Sequence, residues 1–341
     1  MYLLIGIWGS NLRKIYASYQ LFFFTLFGSI FMFFAILIIY NIFGTTDFLI
    51  IQVYGYKLVN ITKILLFLLF FIPFSIKIPI VPFHFWLPEA HVEAPTAGSV
   101  ILAGLLLKLG TYGLVRFLIP IFNDIIVYLN PFLITIGLYS ILYVSIIILR
   151  QLDLKRIIAY SSIIHMNFIL IGLIILNKNT LIGSIFLLIS HGIVSSALFI
   201  CIGFLYERYH SRIILYYKGL CIIMPIYTIF FFLFILANAS LPGTSNFTGE
   251  FLVLLGIFTF NKFIVFFLLL GLFYSAIINF WIYNKMMFGD ISKTCIRFSN
   301  DLCLRELFVL VWFTFLCLVL GYYPMFFISY LKYYIFMLLI F

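Results

Sequence analysis

Long apolar segments separated by short polar connections set the strongest limit on what this chain can become. Segments of spanning length lie at 19–43, 61–86, 96–118, 131–150, 157–176, 181–205, 221–260, 263–285 and 306–323, with a short one at 2–9 and a further candidate at 325–341. A transmembrane helix needs about 20 apolar residues, so the pattern predicts an all-α polytopic membrane protein with about ten transmembrane helices. Only 9% of the 341 residues are charged and 66% are hydrophobic, whereas soluble domains carry about 25% charged residues. So few charges cannot cover a water-facing surface. No connection is long enough to separate a second domain, and 1–341 reads as one transmembrane domain.

The basic residues give an independent check on the helix count. When loops are assigned alternately to two sides, twelve of the twenty Lys and Arg fall on side A, in the regions 13–14, 150–156, 208–218 and 285–305. Six fall on side B, at 57, 63, 116, 178, 262 and 332. Such a bias is what the positive-inside rule requires, and it makes side A the negative side, matrix or cytoplasm. The net charge of +10 follows from this asymmetry and implies no nucleic-acid partner.

Several chemistries are disfavoured. The five cysteines (201, 221, 295, 303 and 317) have no CxxC or paired spacing, which argues against disulfides and iron–sulfur ligation. There is no GxGxxG and no Walker loop. The opening MYLLIGIWGSNLRKIYASYQ is neither an Arg- and Ser-rich transit peptide nor a signal peptide, because its polar Asn11, Arg13 and Lys14 follow the apolar stretch. Phe (44) and Tyr (23) outnumber Ala, a bias shared by AT-rich organelle genomes.

The two Lys and Arg left over, Lys77 and Lys108, lie inside apolar spans, and Glu250 joins them. His84, His165 and His191 also lie in or at the ends of spans. A central Lys or Asp costs ~2.5–3.5 kcal/mol on insertion scales, so such residues commonly mark an ion or proton path. The alternative for a lysine near a helix end is snorkelling to the interface, and Lys63 reads that way. Lys108 is too far from either end for that, and Lys77 reaches an interface only if its helix stops at Pro79. Lone membrane histidines such as His165 and His191 are equally well read as hydrogen-bonded packing residues.

Two spans are interrupted. Pro73, Pro79 and Pro82 disturb the first, and the second breaks over 238–249, around Pro242 and Gly243, with Glu250 at its far edge. Unwound backbone at membrane depth is tolerated only where it is buried in protein or lines a watery cavity. Paired interruptions that each hold an ionisable residue point to an ion-translocating site. A lysine removed from water loses the hydration of its charged form and can then exchange a proton near neutral pH. Lys77, Lys108, the histidines and Glu250 therefore read as a chain of titratable groups, with no oxygen cage for Na⁺ or Ca²⁺. A metal site from His84 and His91 lacks a third ligand and is disfavoured.

Four stretches in order carry a resemblance: KIPIVPFHFWLPEAHVEAPTAGSVILAGLLLKLGTYGLVRF, DLKRIIAYSSIIHMNF, LLISHGIVSSALFICIGFLYERYHSR and ANASLPGTSNFTGEF, with the opening 29 residues fitting as well. They resemble the antiporter-like membrane subunits of the proton-pumping NADH:ubiquinone oxidoreductase, respiratory complex I. The resemblance covers nearly the whole chain, least clearly after residue 285. It implies an antiporter-like fold with two symmetry-related halves and two discontinuous helices. It also implies site roles: Lys77 as the lysine of the first broken helix, Lys108 as the connecting lysine, and Glu250 as the acid of the second broken helix. His165 and His191 become central-axis histidines, and His84 and His91 motif histidines.

By the same resemblance these residues move protons, driven by quinone reduction elsewhere. NADH, FMN, iron–sulfur clusters and ubiquinone are then cofactors of other subunits, with none on this chain. Partners become the other membrane-arm and accessory subunits and membrane lipids, cardiolipin among them. The location becomes the mitochondrial inner membrane, with the gene in the mitochondrial genome. One departure stands out. The family begins with further helices, one of which carries a glutamate that pairs with the Lys77 equivalent, whereas the only acid before Lys77 here is Asp47, in a loop. The resemblance therefore implies a fold truncated at its N-terminus, with the missing helices supplied by a separate chain or lost. Two other functions stay open: a component of a multisubunit cation/proton antiporter, and a structural remnant that scaffolds its neighbours.

Overall fold

The computed structural model describes residues 1–55, 58–291 and 300–340; Lys57, Lys293, Arg297 and Cys295 from the sequence analysis lie outside the described residues. The principal helices in chain order are α1 (Tyr2–Trp8), α2 (Lys14–Phe43), α3 (Phe48–Tyr54), α4 (Asn60–Lys77), α5 (Trp86–Glu93), α6 (Thr96–Ile121) and α7 (Asn123–Ile148). They continue with α8 (Leu154–Ile174), α9 (Lys178–Tyr209), α10 (Pro225–Asn238), α11 (Ser245–Phe260), α12 (Lys262–Met287), α13 (Leu304–Tyr322) and α14 (Pro324–Ile340). Among the described residues, eight helices are long and apolar enough to cross a membrane, and α10 and α11 are shorter apolar helices. The chain is a multi-pass membrane protein. The structure adds α3, whose first turn is capped by Asp47 accepting from the Leu49 amide at 3.1 Å. Asp47 thus caps a helix where the sequence suggested a plain loop.

Helix α8 lies at the centre. Its window is 94% buried, compared with 17% for α2 and for α13, and it packs against α5, α7, α9, α11 and α12. Lipid tails are as apolar as leucine, so helices here associate through close packing and polar contacts. Small residues permit that packing between α9 and α11. A Cβ on Gly249 would stand 2.9 Å from the Leu187 backbone, and one on Gly183 would stand 2.8 Å from the Val253 nitrogen.

Helix ends assigned to one side of the membrane are found together. On side A, the Ser10 amide donates to the Glu93 carbonyl (3.3 Å), the Leu154 amide to the Arg212 carbonyl (3.0 Å), and Arg208 pairs with Glu306 at 2.5 Å. On side B, Lys63 meets Asp124 at 3.6 Å and Asn177 donates to Thr259 at 3.1 Å. Two basic residues differ from expectation. Lys63 is buried against Asp124 instead of snorkelling free, and Lys155, assigned to a loop, is 1% exposed in the first turn of α8.

Both interruptions are present, with shifted edges. Pro73 is accommodated inside α4, and the first break runs over 78–85, after which α5 completes the span as far as Glu93. The backbone groups freed by the break find partners: Trp86 Nε1 donates to the Ile76 carbonyl (3.0 Å), the Ile80 amide to Ser75 (3.0 Å) and Asn167 Nδ2 to Pro79 (3.4 Å). The second break is shorter than expected, at 239–244, so Glu250 lies inside the second half-helix, α11. Gly243 adopts φ +92°, a conformation that favours glycine, and a Cβ on Gly321 of α13 would strike its carbonyl oxygen. Asn238 closes the end of α10 by donating to Asn279 Oδ1 of α12 at 3.0 Å.

Candidate functional site

Helix α6 carries Lys108 between two π-helical stretches, Leu102–Leu106 and Leu114–Leu118. Single-turn π segments redirect the hydrogen-bond ladder and are frequent at functional sites. Lys108 Nζ turns back to donate to the Ala103 carbonyl inside the first π stretch, and it lies 3.1 Å from His191 Nδ1 of α9. Room for the lysine comes from Gly192, where a Cβ would touch Lys108 Cε at 3.4 Å.

From His191 the polar path crosses to α8. The rings of His191 and His165 have centroids 5.3 Å apart, inclined at 42°. His165 Nδ1 then lies 3.0 Å from Glu250 Oε1 on α11. Both histidines are 0% exposed and Glu250 is 4% exposed. The structure thus brings half-buried Lys108 and buried His191, His165 and Glu250 into one line contributed by four different helices. An ionised carboxylate in such a place is tolerated only with a partner. His165 is that partner when protonated, so a proton held between the two lowers the cost of burying both.

Lys77 stands apart from this line. It is the last residue of α4, where the free carbonyls of the helix end favour a cation. Glu250 lies in the second turn of α11, past the first turn where a helix N-terminus favours an anion. Lys77 packs close to α6, since a Cβ on Gly110 would stand 2.9 Å from Lys77 Cβ. No carboxylate of the described residues lies within ion-pair distance of it. It borders two cavities instead, one of about 380 Å³ against Thr25, Ser29 and Met32 of α2, the other of about 440 Å³ against Phe48, Phe74 and Tyr112.

His84 and His91 are buried but are not hydrogen-bonded into the line. His84 packs on Phe85 (4.3 Å) and edge-on to Tyr143 (5.9 Å), and His91 stacks on Phe199 at 4.5 Å with rings 3° from parallel. The ring nitrogens of His91 have no protein partner. Among the described residues no three His, Cys, Asp or Glu side chains gather as a metal site. Sequence reasoning missed Glu93 and Lys155, both buried, and Arg212, 8% exposed. The signal was weak because Glu93 and Lys155 lie at helix ends and Arg212 in the connection after α9, where charged residues ordinarily face water.

A membrane-spanning helical bundle with two interrupted helices and a Lys–His–His–Glu line through its interior defines an antiporter-like membrane protein. The sequence matches the family described as NADH:quinone oxidoreductase/Mrp antiporter, TM, over residues 1–277, and the chain belongs to that family. It is 50% identical over 324 residues to the NADH-ubiquinone oxidoreductase chain 4 of Marchantia polymorpha, covering 95% of this chain and 65% of that one. It is 49% identical over 301 residues to the chain 4 of Dictyostelium citrinum, covering 88% and 72%. The chain thus spans about 65% of the length of the Marchantia relative. Among solved structures, a chain of respiratory complex I from Thermus thermophilus with bound NADH superposes with a TM-score of 0.90 at 27% identity, covering 99% of this chain and 72% of that one. A chain of the Mrp complex from Dietzia sp. shares the fold, with a TM-score of 0.86 at 18% identity over 94% of this chain and 67% of that one.

Proposed function

We propose that this chain is a proton-translocating membrane-arm subunit of NADH:ubiquinone oxidoreductase. The observation that carries the reading is the line Lys108–His191–His165–Glu250, with contacts of 3.1 Å and 3.0 Å at its two ends and the two imidazole rings 5.3 Å apart between them. Every member can hold or release a proton, and an oxygen cage for a metal cation is not part of it. A proton on Lys108 passes to His191 Nδ1 and from the imidazole pair to Glu250. The redox cofactors, NADH, FMN, iron–sulfur clusters and ubiquinone, belong to other subunits in this reading. The energy of quinone reduction reaches the line as a change in its electrostatics.

The finer assignments belong to the same proposal. The protein resides in the mitochondrial inner membrane, encoded by an AT-rich mitochondrial genome, in keeping with its Phe and Tyr excess. Its side-A basic loops suit anionic headgroups such as cardiolipin. A transmembrane helix from outside these residues, on a separate chain, covers α2 and brings a carboxylate to Lys77. The two cavities beside Lys77 and its lack of an acid support this. A structure of the assembled complex with no carboxylate within a few ångströms of Lys77 would sink that last point.

The test of the function is Lys108→Ala in the assembled complex, reconstituted in sealed vesicles. NADH-driven proton translocation is expected to fall to background while the complex still assembles. Undiminished pumping would leave only the scaffolding role.

A further inference from the structure

The carboxylates on side A fall into two kinds. Glu89 is held by Arg156 at 2.7 Å and Glu306 by Arg208 at 2.5 Å. Glu93, the last residue of α5, is 2% exposed and is not held. Asn11 Nδ2 approaches its Oε1 at only 3.4 Å, and its Oε2 has no protein partner. Two cations stand beside it, yet neither is bound to it. Lys155 Nζ donates to the Ala94 carbonyl at 2.7 Å, and Arg212 donates to the Val92 carbonyl and to Ser10 Oγ. These bonds satisfy the carbonyl end of α5 and leave the carboxylate without an ion-pair partner.

Glu93 also lies at a boundary. Outside it is a polar cavity of about 630 Å³ on side A, bordered by Asn11, Arg13, Asp153, Arg156, His210 and Arg212. Inside it, Lys155 Nζ is anchored at 2.7 Å on the carbonyl of Ala94, the residue after Glu93, and His91 stands two residues before Glu93 on α5. His91 is 0% exposed, with both ring nitrogens lacking a protein partner. A buried amine and a buried imidazole with free ring nitrogens beside a polar cavity are what a proton inlet requires.

We propose that Glu93 is the proton-inlet residue of side A, passing protons from the polar cavity through Lys155 and His91 to Lys108, with Arg212 and Ser10 positioning the end of α5 that carries it. The chemistry is proton transfer alone: Glu93 takes a proton from water in the cavity and loses it to the Lys155 amine. That amine returns to its neutral form by giving a proton to His91, and the imidazole passes its own to Lys108. This inference rests on the proton-translocation reading above.

The experiment compares Glu93→Gln with Lys108→Ala and the parent in the assembled complex in sealed vesicles, with side A exposed to the medium. Gln keeps the shape and the Asn11 contact, so folding is preserved. An inlet defect slows proton supply, so NADH-driven pumping by Glu93→Gln is expected to fall about tenfold or more when side A is alkaline. It should recover when side A is acidified, or when formate is added as a small diffusible acid. Lys108→Ala should stay inactive under both treatments. Parent-like pumping by Glu93→Gln on the alkaline side overturns the inlet while leaving the relay to be judged by Lys108→Ala. Loss that neither acid nor formate restores also overturns it, because it assigns Glu93 a structural role. Full pumping by Lys108→Ala overturns the relay and, with it, the inlet.

Discussion

His165 and Glu250 face each other at 3.0 Å with almost no exposure, so each is the other's main means of tolerating burial. Replacing His165 by Ala leaves a carboxylate without a partner, which costs about 1–3 kcal/mol. Replacing both, as His165→Ala with Glu250→Gln, removes the charge and is expected to recover part of that loss. The thermal midpoint of the purified complex reads both effects, and additive losses would show that the pair is not coupled. At this scale the sequence was informative wherever a charge interrupted an apolar run, which is why Lys77, Lys108 and Glu250 stood out. It was blind at helix ends. Lys155 and Glu93 flank short connections, and only the folded loops reveal that the Ala94 carbonyl and the segment around Ser10 close over them. Lys63 was misread for the same reason, since its partner Asp124 lies on another helix.

The helices carry the constraint that positions the line. α9 and α11 approach closely at Gly249, where an added Cβ would meet the Leu187 backbone, which cannot yield as a flexible side chain would. Gly249→Ala is therefore expected to destabilise the protein by about 1–3 kcal/mol. A lowered thermal midpoint checks this, and an unchanged one would show that α11 can slide without loss. Glu250 is one residue further on, so a shift of α11 also lengthens the His165 contact. Apolar runs and prolines made the helices and both interruptions legible. The edges were not, because the stops depend on tertiary partners: Trp86 and Asn167 catch the carbonyls of the first break, and α13 braces the second at Gly243. The π stretches around Lys108 left no trace in the sequence either, since their hydrogen-bond shift reflects packing and not residue preference.

Across the whole molecule, the basic bias and the clustering of helix ends agree on one orientation. Cys221 and Cys303 are exposed on side A, whereas Cys201 and Cys317 are buried. A membrane-impermeant maleimide is expected to label Cys221 and Cys303 from the negative side alone, and labelling from the other side would invert the topology. The same orientation places the 630 Å³ polar cavity on the negative side. Four helices, α6, α8, α9 and α11, contribute one residue each to the line.

Whether those four residues act in series is decided by protons moved per NADH oxidised in Lys108→Ala, in Glu250→Gln and in the variant carrying both. A single path broken once is already closed, so each variant should fall to the same background and the double variant no lower. A single variant that keeps pumping while the other falls to background would contradict a common path through Lys108, His191, His165 and Glu250.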